Sequence, residues 1–128
     1  MIHDLKLYEQ NFNRIKNGKK TREYRLNDEK RKKIKVGDII RFVILPEKKE
    51  NLFVVVTNKE DFNDWFSCYS KYYDEDFSDR YDSVQEVVND TYNGGYYTKE
   101  ESNKYGCCCI SFIKINDIDF MNNNFKKD

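Results

Sequence analysis

The stretch NGKKTREYRLND, Asn17–Asp28, alternates like a β-strand, but both of its predicted faces carry charged side chains. One face carries Lys20, Arg22, Tyr24 and Leu26, and the other carries Thr21, Glu23 and Arg25. A strand that only filled a core would be apolar on at least one face. The segment therefore raises the question of what a short charged strand is for.

Two interpretations of this strand follow from its spacing. In the first, it is an exposed edge strand whose charges discourage aggregation, and a surface ion pair contributes about 0 to 1 kcal/mol. In the second, it lies at a cleft, where Lys20 and Arg25 hold a phosphate or another oxyanion. Glu23 then orients these cations or moves a proton, which requires partial burial. Spacing alone does not decide between the two.

Strands are predicted on both sides of the charged segment. His3, Leu5 and Leu7 alternate with polar residues, and DIIRFVIL (38–45) and LFVVVTN (52–58) form a predicted hairpin. The run CCCISFIKI (107–115) is mostly apolar on both faces, which is typical of a central buried strand.

Helical spacing occurs between these strands. The first helix contains Tyr8, Phe12 and Ile15 and ends at Gly18, and a second, short helix begins at Asn27 or Asp28 and ends by Gly37. Further on, the spacing of four aromatic residues predicts a helix with a core-facing stripe, Phe62, Trp65, Phe66 and Tyr69.

Two capping-box patterns predict the last helices. SVQE begins at Ser83 and TKEE begins at Thr98, and in each the Glu lies three residues after the Ser or Thr. Glycines at 94, 95 and 106 end these helices.

The totals indicate one folded domain over residues 1–128, with residues 117–128 as a polar, frayed tail. Hydrophobic residues make up 38% and aromatic residues 16% of the 128, which is enough for one modest core. The element order predicts an α+β fold with a mixed sheet, most simply a small, partly open barrel closed by helices.

The net charge of zero conceals an uneven distribution. Residues 1–59 contain 16 Lys and Arg against 8 Asp and Glu, and residues 60–128 contain 7 against 15. This split is either internal complementarity or a basic face for a polyanion beside an acidic face.

Cofactor chemistry and membrane insertion are not expected. Cys68 and Cys107 to Cys109 contain no Cys-x-x-Cys pair, and His3 is the single histidine, so we predict no metal site and no cofactor. The cysteines are interpreted as small buried hydrophobic residues. No run reaches the roughly 18 apolar residues of a membrane span, and we expect a cytoplasmic protein.

The stretch HDLKLYEQNFNRIKNGKKTREYRLNDEKRKKIKVGDIIRF resembles the N-terminal signature of the ASCH family of PUA-like domains, Gly-x-Lys-x-x-Glu-x-Arg. Gly18, Lys20, Glu23 and Arg25 match the motif position by position. The segment YYTKEESNKYG also resembles family members, and the likeness is weaker between Asn58 and Asn89. The resemblance implies a PUA-like β-barrel of about five to six strands with flanking helices and a cleft for RNA, a coenzyme or a nucleotide.

From this resemblance we expect a domain that binds RNA, a nucleotide or a nucleoside. The candidate catalytic or anion-binding residues are Lys20, Glu23 and Arg25, and the candidate ligand-binding residues are Lys19, Thr21, His3 and Tyr97. Eight of the ten tyrosines lie between positions 69 and 105, and Tyr96 and Tyr97 are the ones expected to offer a face for base stacking. His3 is equally explained as a hydrogen-bonded structural residue.

Two alternatives and the oligomeric state remain open. The first alternative is a metal-independent hydrolase, either a ribonuclease or an amidohydrolase that acts on modified nucleosides such as N4-acetylcytidine. In the amidohydrolase type a Lys and a Thr act with a downstream Glu; here Glu23 occupies the Thr position, and the downstream residue is Glu100 or Glu101. The second is an adapter whose acidic second half binds a basic partner.

Overall fold

Five strands and six helices make up the computed structural model, which describes residues 1–46 and 50–115. The strands are β1 (Ile2–Tyr8), β2 (Arg22–Leu26), β3 (Ile39–Leu45), β4 (Asn51–Phe62) and β5 (Cys107–Ile115). The helices are α1 (Glu9–Lys16), α2 (Glu29–Lys32), α3 (Trp65–Lys71), α4 (Tyr73–Asp76), α5 (Val84–Asn93) and α6 (Lys99–Tyr105). The predicted tail, 117–128, lies outside the described residues.

The five strands form one mixed sheet in the order β1-β3-β4-β5-β2. β1 pairs with β3 in parallel, with Leu5 opposite Phe42, and β3 pairs with β4 antiparallel, with Ile40 opposite Val54. The predicted hairpin and the α+β class with a small mixed sheet and flanking helices are confirmed. β2 stands at one end of the strand order.

The chain divides into two compact units, and a single domain over 1–128 stays a prediction. The first unit consists of Met1–Thr21, Lys35–Asn58 and the described residues from Ser111 onward. The second unit consists of Arg22–Ile34 and Lys59–Ile110.

The first unit buries the apolar residues that the two-residue and helical periodicities single out. Its buried side chains are Leu5, Leu7, Phe12, Ile15, Ile40, Phe42, Val54, Val56 and Phe112. The rings of Phe42 and Phe112 lie 5.5 Å apart between centroids. Tyr8, in contrast, is exposed, because it precedes α1 and does not belong to its buried face.

Trp65 organises the core of the second unit. Its ring stacks against Tyr69 and against Tyr97, each at 5.3 Å between centroids. Its Nε1 donates to Ser102 Oγ at 2.8 Å, which satisfies the one polar group of the buried indole. The buried residues packed in this core are Leu26, Trp65, Cys68, Tyr69, Phe77, Val87, Val88, Cys107 and Cys109.

The four cysteines are buried, as expected, and none of them forms a disulfide bond. Burial raises the pKa of the Cys108 and Cys109 thiols to about 12, so neither is a thiolate at neutral pH. The cysteines therefore act as apolar residues.

No helix among the described residues is long and apolar enough to cross a membrane.

Several element boundaries differ from the predictions. The helix expected from Asp61 begins at Trp65, because Asp64 Oδ1 accepts the Ser67 backbone N–H at 2.8 Å and fixes the start there. Phe62 therefore ends β4, which runs to residue 62 instead of residue 58, and Phe66 is 50% exposed instead of facing the core.

Two other elements are shorter than expected. α2 is capped by Asp28 as predicted but ends at Lys32, well before Gly37. β2 begins at Arg22, so Lys20 and Thr21 precede the strand and are not part of its faces.

Gly106 provides a test of the turn between α6 and β5. Its φ of 68° and ψ of −165° lie in a region that only glycine adopts readily, and an added Cβ would meet Phe62 O at 2.5 Å. We expect Gly106→Ala to lower the free energy of unfolding by more than about 2 kcal/mol, measured by urea denaturation.

Gly37→Ala is the matched control. Gly37 has a φ of +91°, but nothing lies within 4 Å of its added Cβ, so backbone strain alone costs about 1 kcal/mol. Equal losses in the two variants would contradict the steric explanation.

Candidate functional site

Glu23 and Arg25 form a buried ion pair on β2. The Nε and Nη2 atoms of Arg25 both donate to Glu23 Oε2, each at 2.8 Å. The two side chains are spaced by two residues and therefore project from the same strand face. Their exposed fractions are 7% for Glu23 and 13% for Arg25, so the pair is not the solvated surface pair of the edge-strand interpretation.

Burial and charge act on Arg25 in opposite directions. Burial lowers the pKa of Arg25, but the charge of Glu23, the neighbouring Tyr97 and the Glu23 hydrogen bond together raise it. The guanidinium therefore stays charged inside the protein. An apolar pair of similar volume often stabilises a fold equally well. Stability alone is therefore a weak explanation for why this strand carries a buried ion pair.

Tyr97 lies beside this pair in the second unit. Burial raises the pKa of its phenol, whereas the neighbouring Arg25 charge and a hydrogen bond with the Leu26 backbone act in the opposite direction. Its ring is held by the stack against Trp65. Tyr97, which was predicted to bind the ligand, lies beside Glu23 and Arg25, and its hydroxyl and ring both have protein partners.

Lys59 is a nearly buried cation of the second unit that the sequence analysis missed. Its Nζ donates to Asn27 Oδ1 at 3.1 Å and to Asp61 Oδ1 at 2.8 Å, and its side chain is only 9% exposed. The predicted strand ended at Asn58, which made Lys59 look like a loop residue. In the structure β4 continues to Phe62, so Lys59 lies on a strand and not in a loop.

Arg31 was also missed, because its place in a basic run suggests a solvated helix face. Asp28 holds it twice: Oδ1 accepts the Arg31 backbone N–H at 3.1 Å, and Oδ2 accepts from Nη1 at 3.1 Å. The Nε atom of Arg31 is buried and has no hydrogen-bond partner among residues 1–46 and 50–115. Its charge lowers the pKa of Tyr97, which places the guanidinium near that phenol.

We call Glu23, Arg25, Arg31, Lys59 and Tyr97 the β2 cluster. All five residues belong to the second unit. Each of its three cationic groups is paired with a carboxylate, Glu23, Asp28 or Asp61, and its fourth side-chain type is the aromatic ring of Tyr97.

The remaining predicted residues of the motif segment lie in the first unit. The backbone N–H groups of Lys19 and Lys20 both donate to Arg14 O, at 2.9 and 3.1 Å, in the turn that follows α1. Thr21 O accepts from the Phe112 N–H at 3.0 Å. Lys19 and Thr21 are exposed, and Lys20 is half-buried.

His3 is accounted for by a structural contact within the first unit. Its Nε2 lies 2.8 Å from Asp38 Oδ2, which also accepts the Lys35 backbone N–H at 3.0 Å. The hydrogen bond from His3 is the largest of the contributions that lower the pKa of Asp38. The structure thus favours the structural interpretation of His3 over a ligand-binding role.

Of the two candidates for a downstream catalytic Glu, one caps a helix and the other is exposed on it. Glu101 completes the capping box of α6, where its Oε1 accepts from the Thr98 N–H at 3.0 Å. Glu100 is exposed in the first turn of the same helix.

Within the described ranges, no group of three or more His, Cys, Asp or Glu side chains is arranged to hold a metal ion. An open depression of about 490 Å³ in the second unit shares no residue with the β2 cluster and is lined by Arg80, Tyr81, Glu86, Asn89, Asp90 and Asn93.

A family model matches most of the chain. The family model described as "ASCH domain" matches residues 5–116. No curated protein matches the chain.

Solved structures also resemble the chain. The hypothetical protein PH0355 is 34% identical, with a TM-score of 0.75 over 90% of this chain and 100% of its own. Protein PF0455 from Pyrococcus furiosus is 30% identical, with a TM-score of 0.69 over 91% of this chain and 99% of its own. A mutant ASCH protein from Zymomonas mobilis shares the fold at 15% identity, with a TM-score of 0.56 over 99% of this chain and 81% of its own.

Removing one partner of the buried pair tests its energetic role. We expect Glu23→Ala to lower the free energy of unfolding by about 3 to 5 kcal/mol, because Arg25 is left as an uncompensated buried charge. Urea denaturation measures the loss. Asp4→Ala, which breaks the exposed Asp4–Arg41 pair, is the control and should cost far less. Similar losses in both variants would show that burial does not matter here.

The contact between Asp38 and His3 predicts a pH dependence. Since the folded pKa of Asp38 lies below its ordinary value, its contribution to stability is complete above about pH 4. It is lost as the pH falls through the folded pKa. The stability difference between the parent protein and Asp38→Asn should therefore shrink between about pH 4 and pH 2, measured by thermal unfolding. A difference that stays constant down to pH 2 would contradict this assignment.

Proposed function

The chain belongs to the ASCH domain family, and from that membership we propose that it binds RNA or a nucleotide through the β2 cluster. The observation that carries the proposal is the buried guanidinium of Arg25, held by two hydrogen bonds to Glu23. A guanidinium that is fixed before the ligand arrives loses little conformational entropy on binding. It can also form short, charge-assisted hydrogen bonds to phosphate oxygens.

The other members of the cluster support the same chemistry. Arg31 and Lys59 add two cationic groups, and each is oriented by a carboxylate, Asp28 or Asp61. Such groups attract a phosphate backbone without reading its sequence. The cluster therefore suits the backbone of a nucleic acid better than a neutral small molecule.

Tyr96 supplies a surface for base stacking better than Tyr97 does. The side chain of Tyr97 is packed against Trp65, whereas Tyr96 is 67% exposed. An exposed aromatic ring can stack on an unpaired RNA base, a contact worth about 1 to 3 kcal/mol per base. We assign the stacking role to Tyr96 and a supporting role to Tyr97.

Lys19, Lys20 and Thr21 belong to the first unit, and we propose that they add contacts of their own to the ligand's phosphates. Lys19 and Thr21 are exposed, and the backbone of the two lysines is fixed by Arg14 O. Lys20 supplies one phosphate contact, and the charge of Lys19 adds long-range attraction.

A hydrolase remains the second candidate for the same residues, and the contacts of Glu23 bear on it. Its Oε2 accepts two hydrogen bonds from Arg25, and a proton taken up there would disrupt both. Glu23 is thus better suited to orient Arg25 than to act as a general base. A cleavage assay with chelator present keeps the hydrolase hypothesis testable.

Binding of a fluorescein-labelled, 12-nucleotide single-stranded RNA tests the proposal by fluorescence anisotropy. We expect the affinity to fall steeply with salt, with a logarithmic slope of about −0.7 for each phosphate neutralised. Lys20→Ala should weaken binding about five- to tenfold at low salt and make the slope shallower by about 0.7, because one phosphate contact is lost.

Lys6→Ala is the matched control, since it removes one exposed positive charge from β1, which stands at the opposite end of the strand order from β2. It should change the affinity less than twofold. The proposal is overturned if the parent protein does not bind, or if binding is insensitive to salt. RNA cleavage that persists in chelator but disappears in Glu23→Gln would replace binding alone with the hydrolase function.

A further inference from the structure

β1 is a regular strand at one end of the sheet. Within the part of the chain that the structure describes, it has a neighbouring strand, β3, on one side only. The pairing with β3 runs without a bulge from Ile2, opposite Ile39, to Tyr8, opposite Leu45. A regular edge strand of this length presents a row of main-chain donors and acceptors to any strand that approaches it.

The hydrogen bonds to β3 determine which main-chain groups of β1 point outward. Met1 O accepts from the Ile39 N–H at 3.0 Å, so the carbonyl group of Met1 points towards β3. Main-chain groups alternate in direction along a strand, and every second residue after Met1 therefore also points to β3. The remaining residues point their N–H and C=O groups to the outer edge, and these are Ile2, Asp4, Lys6 and Tyr8.

The side chains of the same four residues form an exposed row, which we call the β1 row. Ile2 is 54% exposed and Tyr8 is 68% exposed, and the two charged residues between them are exposed as well. Along the strand the β1 row is therefore apolar, acidic, basic and apolar. Its acidic member, Asp4, accepts two hydrogen bonds from Arg41 on β3. A carboxylate has further lone pairs, so it can accept from a second cation on its other side.

The β1 row is self-complementary when a second copy of the strand runs antiparallel to it. With Leu5 opposite Leu5 of the second copy, Asp4 lies opposite Lys6, and Ile2 lies opposite Tyr8. In each of these pairs both residues point their main-chain groups to the partner strand, so they can exchange two hydrogen bonds. Opposite charges and apolar side chains in directly opposite positions stabilise an antiparallel pair of strands.

Charge also selects this register over its neighbours. A shift of the second copy by two residues keeps the outward groups facing each other, but it places Asp4 opposite Asp4 or Lys6 opposite Lys6. Like charges in directly opposite positions are destabilising. A shift by one residue places outward main-chain groups opposite groups that are already bonded to β3.

We propose that β1 pairs antiparallel with β1 of a second copy of this chain and joins two sheets into one. The partner is a second copy because the complement of the β1 row is the same row in reverse. The contact is two-fold symmetric and uses up both β1 edges, so assembly through it stops at a dimer. The dimer is independent of the proposed RNA binding, because β1 belongs to the first unit and the β2 cluster belongs to the second.

The size of the contact sets its strength. A pair of seven-residue strands is smaller than the interface of most stable complexes, so we expect a dissociation constant of about 10 to 100 µM. At protein concentrations of about 1 µM, which suit RNA titrations and urea unfolding, the chain is then a monomer.

Sedimentation equilibrium of the full chain measures the pairing. Between about 1 and about 500 µM, the average mass of the parent protein should rise from that of one chain towards that of two. Lys6→Glu should weaken the dimer about tenfold, because two carboxylates then face each other at two positions. Lys33→Glu is the control, since it makes the same charge change at an exposed residue outside β1 and should alter the dissociation constant less than about twofold.

A mixture of two charge-reversal variants tests the register. Asp4→Lys alone should weaken the dimer as Lys6→Glu does, because two ammonium groups then face each other. In an equimolar mixture of the two variants, each chain presents opposite charges to the other at both positions. The dissociation constant of the mixed dimer should therefore return to within about threefold of the parent value. Thermal unfolding shows whether each variant is folded.

Amide hydrogen exchange of the parent protein tests the same pairing without any variant. The outward amides of Asp4 and Lys6 should exchange severalfold more slowly at high than at low protein concentration, because they are hydrogen-bonded only in the dimer. A parent protein that stays monomeric up to about 500 µM overturns the inference. So does a dimer that is equally stable in folded Lys6→Glu, a mixture that does not recover the dimer, or exchange that does not depend on concentration.

Discussion

The pairing of Glu23 with Arg25 is the constraint on which the neighbourhood of β2 depends. A carboxylate and a guanidinium on one strand face can be buried only together, because either alone would carry an uncompensated charge. The pair sits beside Tyr97, whose ring stacks on Trp65, and so it borders the apolar core of the second unit. Packing alone does not explain a charged strand in this place, and the proposed binding of RNA or a nucleotide accounts for it.

Much of the fold follows from local sequence signals, and the exceptions have local causes. The capping box at Thr98 correctly predicts α6, and the alternation of apolar residues correctly predicts β1, because each signal depends only on residues close together in the sequence. The helix predicted from Asp61 begins at Trp65 instead, because the side chain of Asp64 caps it there, and the aromatic spacing alone does not reveal this cap. Apolar periodicity does not distinguish Phe62 at the end of a strand from Phe62 at the start of a helix.

The candidate site was predictable in part, for the residues that share one strand. Glu23 and Arg25 are two residues apart, so their contact follows from strand geometry, whereas their burial does not. Lys59 and Arg31 join the cluster through chain segments distant from each other, and each stands in a charged run that is typical of a solvated surface. Their partners, Asn27 and Asp28, are polar residues whose first interpretation was a helix cap. Only tertiary structure reveals that a cap residue also orients a cation.

Trp65 has a consequence for how this protein can be followed in solution. It is the only tryptophan in the sequence, and its indole stacks on Tyr97, the aromatic member of the β2 cluster. The excited state of an indole is sensitive to the polarity and charge of its immediate surroundings. The natural chain therefore carries an intrinsic fluorophore one ring away from the cluster, so its emission spectrum can report ligand arrival without any attached dye.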